Sequence, residues 1–222
     1  MSRRNHPAPP AGPHGREHGA LIRWPRRYDL LVAAGLAGRG GRLRTQIGDT
    51  LGLLPGHRVL DVGCGTGTLA LALAGRVRPD GSVHGVDASP EMIAVAQSKA
   101  ARRKAPAQFQ VATAQSLPFP DASFDAVVTS LMLHHLPEAD RLPAVGELLR
   151  VLQPGGTLVI AEFQAPTGAT RRKLTHHVLG HTMASNAFRD LAAAAGATDL
   201  TRHTTPIHWL GLIAGLRPAG IR

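Results

Sequence analysis

Cysteine is almost missing from this chain: Cys64 is the only one in 222 residues. That excludes an internal disulfide and suits a reducing compartment. Long apolar runs are missing too, and none approaches the ~20 residues a helix needs to cross a bilayer. Arginines near the amino terminus are followed by no apolar stretch, which excludes a secretory signal and leaves a cytoplasmic protein as the expectation. Aromatic residues make up 4% of the chain, with a single tyrosine, Tyr28. Lysine is scarce as well, because all but Lys99, Lys104 and Lys173 of the 25 basic residues are arginine. With abundant Ala, Gly and Pro, that skew is what GC-rich coding produces.

What the chain does have is positive charge, formally +10 at pH 7. Six arginines, at 3, 4, 16, 23, 26 and 27, face one acid, Glu17, in the first 27 residues. Such an arm can touch nucleic acid or anionic lipid. The motifs of the usual nucleic-acid modules are absent, however, so a solvated tail is the plainer expectation. Residues 1–20, MSRRNHPAPPAGPHGREHGA, hold almost no large apolar side chains and are expected to be disordered. No pattern in the chain specifies an oligomeric state.

Residues 21–54 read as a helical cap interrupted by glycines and closed by Pro55-Gly56. From there to the end one domain is expected, 55–222. RVLDVG (58–63) predicts a strand and TLALALAGRV (68–77) a helix. SVHGVD (82–87) is a second strand, after which Ser89 as cap and Pro90 at the first position open a helix to about Arg103. AQFQVAT (107–113), a stretch within 123–133, and TLVIAEF (157–163) predict three more strands, with a helix over 138–152 stopped by Pro154-Gly155-Gly156. Crossover-length connections mean a parallel sheet covered on both faces. After a helix near 186–196, two strand-like runs are too closely linked for a crossover and must pair antiparallel. The expected fold is α/β, a Rossmann-like doubly wound sheet of seven strands, mostly parallel with a terminal antiparallel hairpin.

VLDVGCGTGTLA (59–70) poses the chemical question. Glycines between a strand and a helix let backbone approach a ligand closely, and the dinucleotide fingerprint G-x-G-x-x-G uses this for a pyrophosphate. Here the last position of that fingerprint is Thr68, and Asp61 stands beside the space where phosphate would lie. A ligand that is positively charged and carries no phosphate removes the contradiction. S-adenosylmethionine, with a sulfonium, an ammonium and an adenosine, is such a ligand.

With VHGVDASPEMI, AQSLPFPDASFDAVVTSLMLHHL and LLRVLQPGGTLVIAEF in order behind that loop, the sequence resembles class I SAM-dependent methyltransferases, nearest the ubiquinone/menaquinone-biosynthesis type. The resemblance is strong from about Val59 to Phe163 and weak before Leu54. It implies that Asp61 orients the amino-acid end of the cofactor. Val62, Gly63, Cys64, Gly65, Thr66 and Gly67 line it, with Cys64 a small packing residue. Asp87 accepts from both ribose hydroxyls, Ala88 flanks the adenine, and Met92 suits either adenine or core. Thr113, Ala114 and Gln115 stand where relatives often carry an acid or asparagine for the adenine amine; losing that charge-assisted bond costs about 1 kcal/mol. Ser130, closing the fourth strand, completes the expected donor contacts.

Acceptor chemistry is read after that strand. An Asn/Asp-Pro-Pro-aromatic run, as in enzymes acting on nucleic-acid amines, is absent, and so are the paired glutamates of protein-arginine methyltransferases. Ser130-Leu131-Met132-Leu133-His134-His135 points to a small, partly apolar acceptor methylated at oxygen or carbon, and nucleic acid is not the expected partner. His134 and His135 are the candidate bases, since imidazole titrates near neutrality. Adjacent residues should point in different directions, so at most one faces the acceptor; alternatively the pair shapes the loop. Tyr28, in a Tyr-Asp pair resembling that of quinone-type relatives, would close over the cofactor. His177 and His181 share a helical face, but no third ligand is near and Gly180 weakens the helix, so no metal is expected. With His176 they belong to the segment 164–185, which in related enzymes covers the acceptor site, and they either line that pocket or lie on the surface. Alternatives are an RNA-directed methyltransferase recruited by the basic arm, a protein that binds S-adenosylmethionine without turnover, and a nicotinamide oxidoreductase, which Thr68 and Asp61 disfavour.

Overall fold

The computed structural model describes residues 38–164 and 186–219. The arm 1–20, residues 21–37 of the cap with Tyr28, and His176, His177 and His181 lie outside the described residues.

The described elements alternate as expected. Helix α1 (Gly40–Thr50) leads to β1 (Arg58–Val62), α2 (Thr68–Leu73), β2 (Ser82–Asp87), α3 (Pro90–Arg103), β3 (Ala107–Val111) and β4 (Phe124–Ser130). A 3-10 turn (Leu133–His135) precedes α4 (Glu138–Val151) and β5 (Leu152–Phe163), and then come α5 (Ala187–Ala194), β6 (Thr198–Thr204) and β7 (Leu210–Leu216). The seven strands form one sheet in the order β3-β2-β1-β4-β5-β7-β6. The first five run parallel, while β7 is antiparallel to β5 and to β6.

Central strands buried on both faces need apolar side chains on both, which is why β1 and β4 read as nearly unbroken hydrophobic runs. Val59, Ala126 and Val128 face a core shared with Leu43, Ile47, Leu71 and Ile93 of α1, α2 and α3. Leu60, Val62 and Val127 face the opposite core, closed by Leu148 of α4 and Phe188 of α5. The antiparallel hairpin follows from its short link: only residues 205–209 separate β6 from β7.

Boundaries depart from the sequence reading in informative ways. Helix α2 stops at Leu73, ahead of the glycine at 75, rather than at 77. Strand β3 ends two residues early, because Ala112 donates to the Asp87 carbonyl and Thr113 bridges to Ser116. Pro154-Gly155-Gly156 does not stop a helix; it lies inside β5, which begins at Leu152 directly after α4. The sheet absorbs these residues as an irregularity opposite Phe124 and Ala126, and Arg217 exchanges backbone bonds with Gly155 and Gly156.

The strand order reverses between β1 and β4: the chain builds β2 and β3 on one side, then crosses to β4. In open α/β sheets that reversal leaves a crevice at the carboxyl ends of the two diverging strands, and ligands bind there. The glycine loop leaves β1 at that point, and the segment Ser130–His135 leaves β4.

Candidate active site

The glycine loop is held from beneath by β2. Gly63 and Cys64 both donate to the Val86 carbonyl, at 2.8 and 2.9 Å, and Gly65 donates to Asp87 Oδ2 at 2.8 Å. Gly63 and Gly67 adopt φ of +73° and +75°, a left-handed region that penalises a side chain. A Cβ at Gly63 would overlap the Met132 side chain, and one at Gly67 would lie 2.7 Å from Phe109 Cζ. The loop therefore presents main chain to the crevice. Cys64 is buried, and desolvation pushes its thiol far above the usual range, so it packs and does not react. Lys99 donates to Thr66 Oγ1 at 2.8 Å and Thr68 Oγ1 at 3.3 Å, a tie between α3 and the loop that the sequence reading missed.

Asp61 is not at the rim of the loop. It is 1% exposed, beneath α2, and its Oδ2 accepts from the Ala70 N–H at 3.1 Å. Alternation along β1 puts residue 61 on the same face as Val59, where α2 covers it. Burial pushes its carboxyl up to about 7; the Ala70 bond opposes this and the charge of Asp87 adds to it. A positive group in the crevice would favour the ionised form.

Asp87 ends β2 half-buried. Its Oδ1 accepts from Ser89 N–H at 2.9 Å while Oδ2 takes Gly65, so it fixes both the loop and the start of α3. Each carboxylate oxygen can accept a second bond, which leaves room for a vicinal diol. Ser89 caps α3 as expected, accepting from Met92 N–H at 3.2 Å. Ala88 is exposed beside it, whereas Met92 is buried. Ala114 is buried and Thr113 half-buried, while Gln115 turns its amide to Asp140 at 3.3 Å.

From Ser130, half-buried at the end of β4, the chain turns through Leu131 at φ +53°, a conformation that costs a non-glycine residue about 1–3 kcal/mol. That turn sends Met132 across Gly63 and brings the 3-10 turn beside the glycine loop. The two histidines do not diverge as expected. Their rings lie 4.0 Å apart, centroid to centroid, inclined at 40°. The tight turn and a partner from β5 hold them together: His134 Nδ1 is 2.9 Å from Oε2 of Glu162, a residue 3% exposed. His135 keeps more of its surface in water, and desolvation followed by the neighbouring His134 lowers its pKa. Glu162 was legible as the one acid in TLVIAEF, an anomaly in a buried strand. Phe163 lies edge-on to His134 at 4.8 Å and 5.3 Å from Trp209, extending an aromatic row towards β7. Among the described residues no group of three or more His, Cys, Asp or Glu could hold a metal ion.

The site thus joins a main-chain cradle, a ribose-compatible carboxylate, a buried acid and a carboxylate-paired histidine at one crevice. Comparison with known proteins gives the same region a family. The profile of the family described as "Methyltransferase domain" matches residues 59–156. The chain is 43% identical over 140 residues to a demethylmenaquinone methyltransferase of Thermus thermophilus, a stretch covering 63% of this chain and 62% of that one. It is 37% identical over 152 residues to a ubiquinone/menaquinone biosynthesis C-methyltransferase of a Geobacter species, covering 68% of this chain and 64% of the relative. It therefore spans less than two thirds of the length of these relatives. Among solved structures, a SAM-dependent methyltransferase from Aquifex aeolicus superposes with a TM-score of 0.68 at 21% identity, covering 86% of this chain and 98% of the other.

Proposed function

We propose that this protein, whose residues 59–156 match the family described as "Methyltransferase domain", transfers the methyl group of S-adenosylmethionine to oxygen or carbon of a small, partly apolar acceptor. The relatives' names favour a ring carbon of a quinone precursor among such acceptors. The observation that carries the reading is the crevice between β1 and β4, with a main-chain cradle above a buried acid on one side and a base candidate on the other.

S-adenosylmethionine supplies an electrophilic methyl on a sulfonium. The residues present fit it: Gly63–Gly67 offer close-approach backbone, Asp87 has an accepting position left on each oxygen, and Asp61 supplies negative charge below the loop. Methyl transfer by in-line displacement discharges the sulfonium, so a water-poor site favours it. Holding the acceptor in line contributes as much as ~7–11 kcal/mol. His134, next to the loop, accepts the acceptor's proton, a step worth roughly 10²–10⁴-fold. Tyr28, outside the described residues, would close over the donor, and a Tyr28→Phe variant isolates its hydroxyl.

Nucleic acid is not the proposed acceptor, since SLMLHH replaces the run that holds a nucleobase amine. A cytoplasmic setting belongs to the same reading, and no described helix is long and apolar enough to cross a membrane. The test is methyl transfer from labelled S-adenosylmethionine to chemically reduced demethylmenaquinone and to a panel of phenols. Labelled product supports the proposal. Tight donor binding with no product across the panel would make the protein a non-catalytic binder.

A further inference from the structure

We propose that Glu162 is a positioning residue: it holds His134 with the proton on Nδ1, so that Nε2 is the nitrogen that takes the acceptor's proton. The inference rests on His134 being the base in the reading above and assigns that base its partner.

A carboxylate buried in β5 between apolar neighbours is costly unless its oxygens are satisfied. Glu162 is satisfied by the 3-10 turn that follows the neighbouring strand β4 and by its own strand. Its Oε1 accepts from the Leu133 N–H at 2.7 Å, and its Oε2 accepts from His134 Nδ1 at 2.9 Å and, at 3.3 Å, from the Phe163 N–H. The Leu133 bond by itself would make Glu162 a cap for the 3-10 turn. The His134 bond goes further, because a carboxylate only accepts. The imidazole must present N–H at Nδ1, which leaves the Nε2 lone pair open. Arg141 clamps the other side of the turn, its Nε donating to the Leu133 and Leu136 carbonyls at 3.2 and 3.1 Å. The ring is thus fixed in position as well as in tautomer, with Phe163 and His135 against it.

The step balances simply. The acceptor's O–H proton passes to His134 Nε2, and the electron pair released forms the bond to the methyl carbon from that oxygen or, delocalised through the ring, from the adjacent carbon. In the second case the ring C–H proton then moves to the oxygen and restores the aromatic ring. The carbon–sulfur bond breaks, and sulfur keeps the pair as a neutral thioether. The imidazolium formed at His134 is paired with the Glu162 carboxylate until its proton leaves to water. A buried negative partner stabilises this charge as it develops.

Glu162→Gln tests the assignment. The amide keeps the shape and can still accept from Leu133, but its NH2 towards His134 would turn the ring into a hydrogen-bond acceptor at Nδ1. At pH 8.5, nitrogen-15 NMR of the wild type should show His134 protonated at Nδ1, and Glu162→Gln should move that proton to Nε2. The variant should bind S-adenosylmethionine with unchanged Kd and lose at least ~100-fold in kcat towards reduced demethylmenaquinone. Its KM should move less than threefold. A purely structural role would not move the tautomer and would not split kcat from KM. Wild-type His134 protonated at Nε2 overturns the inference without any variant, so a misfolded Glu162→Gln would not protect it. Full activity in Glu162→Gln beside an inactive His134→Gln overturns it while leaving the base reading intact. Full activity in both removes the base itself.

Discussion

Two aspartates lie at the glycine loop, and their environments make different demands. Asp61 is held almost out of water, and its carboxyl titrates about 7, against 3.8 in the unfolded chain. The folded state therefore keeps a proton that the unfolded chain releases between those values, so its contribution to stability falls as pH rises through that window. The melting temperature of wild type should drop more steeply between pH 5 and pH 7.5 than that of Asp61→Asn; equal slopes would contradict the burial argument. The same group links binding to protons. A cationic ligand favours the carboxylate, so affinity for S-adenosylmethionine should fall as pH drops below about 7. Calorimetry in buffers of different protonation enthalpy should find a proton released on binding. Asp87 is the simpler case. Asp87→Ala removes the proposed ribose contacts and the bonds to Gly65 and Ser89, and should raise the donor Kd at least ~10-fold. An unchanged Kd would remove the ribose assignment. The sequence made both acids visible by their spacing from the glycines. It did not show that Asp61 sits under helix α2, because burial depends on which strand face that helix covers.

At the level of elements, the crevice between β1 and β4 is set by how the two strands end. β1 ends in a loop that must expose backbone, and β4 ends in Leu131, whose left-handed conformation carries Met132 over Gly63. Gly63→Ala should cost about 1–2 kcal/mol in backbone strain alone. With the Met132 overlap added, it should lower the melting temperature and weaken donor binding at least ~10-fold. Adding Met132→Ala should restore part of both. Wild-type binding by Gly63→Ala alone would show that close backbone approach is not needed. The loop was legible because glycine spacing is a local signal, and so was the Ser89 cap. The pairing of Glu162 with His134 was not, since it joins residues 28 apart in sequence, one on β5 and the other in the 3-10 turn after β4. Pro154-Gly155-Gly156 misled for a related reason: local turn residues were overruled by strand pairing on either side of them, Leu152 with Phe124 and Thr157 with Ala126, and by the backbone bonds to Arg217.

Across the whole molecule, the alternation of apolar runs and helices carried the topology. The short link after β6 carried the antiparallel hairpin that inserts β7 beside β5. Those are global consequences of chain lengths and hydrophobic period, which a sequence states plainly. Shape alone does not choose the ligand, however, because the same crevice serves dinucleotides in other doubly wound sheets. The residues present bear on that choice: a buried acid below the glycine turn disfavours a pyrophosphate by charge, and Thr68 stands where the dinucleotide fingerprint has its last glycine. Titrating the protein with S-adenosylmethionine and, separately, with NAD in a calorimeter tests this most directly. Saturable one-to-one binding of the sulfonium donor and no heat from the dinucleotide is the predicted result. Uptake of NAD by a protein that ignores S-adenosylmethionine would contradict it.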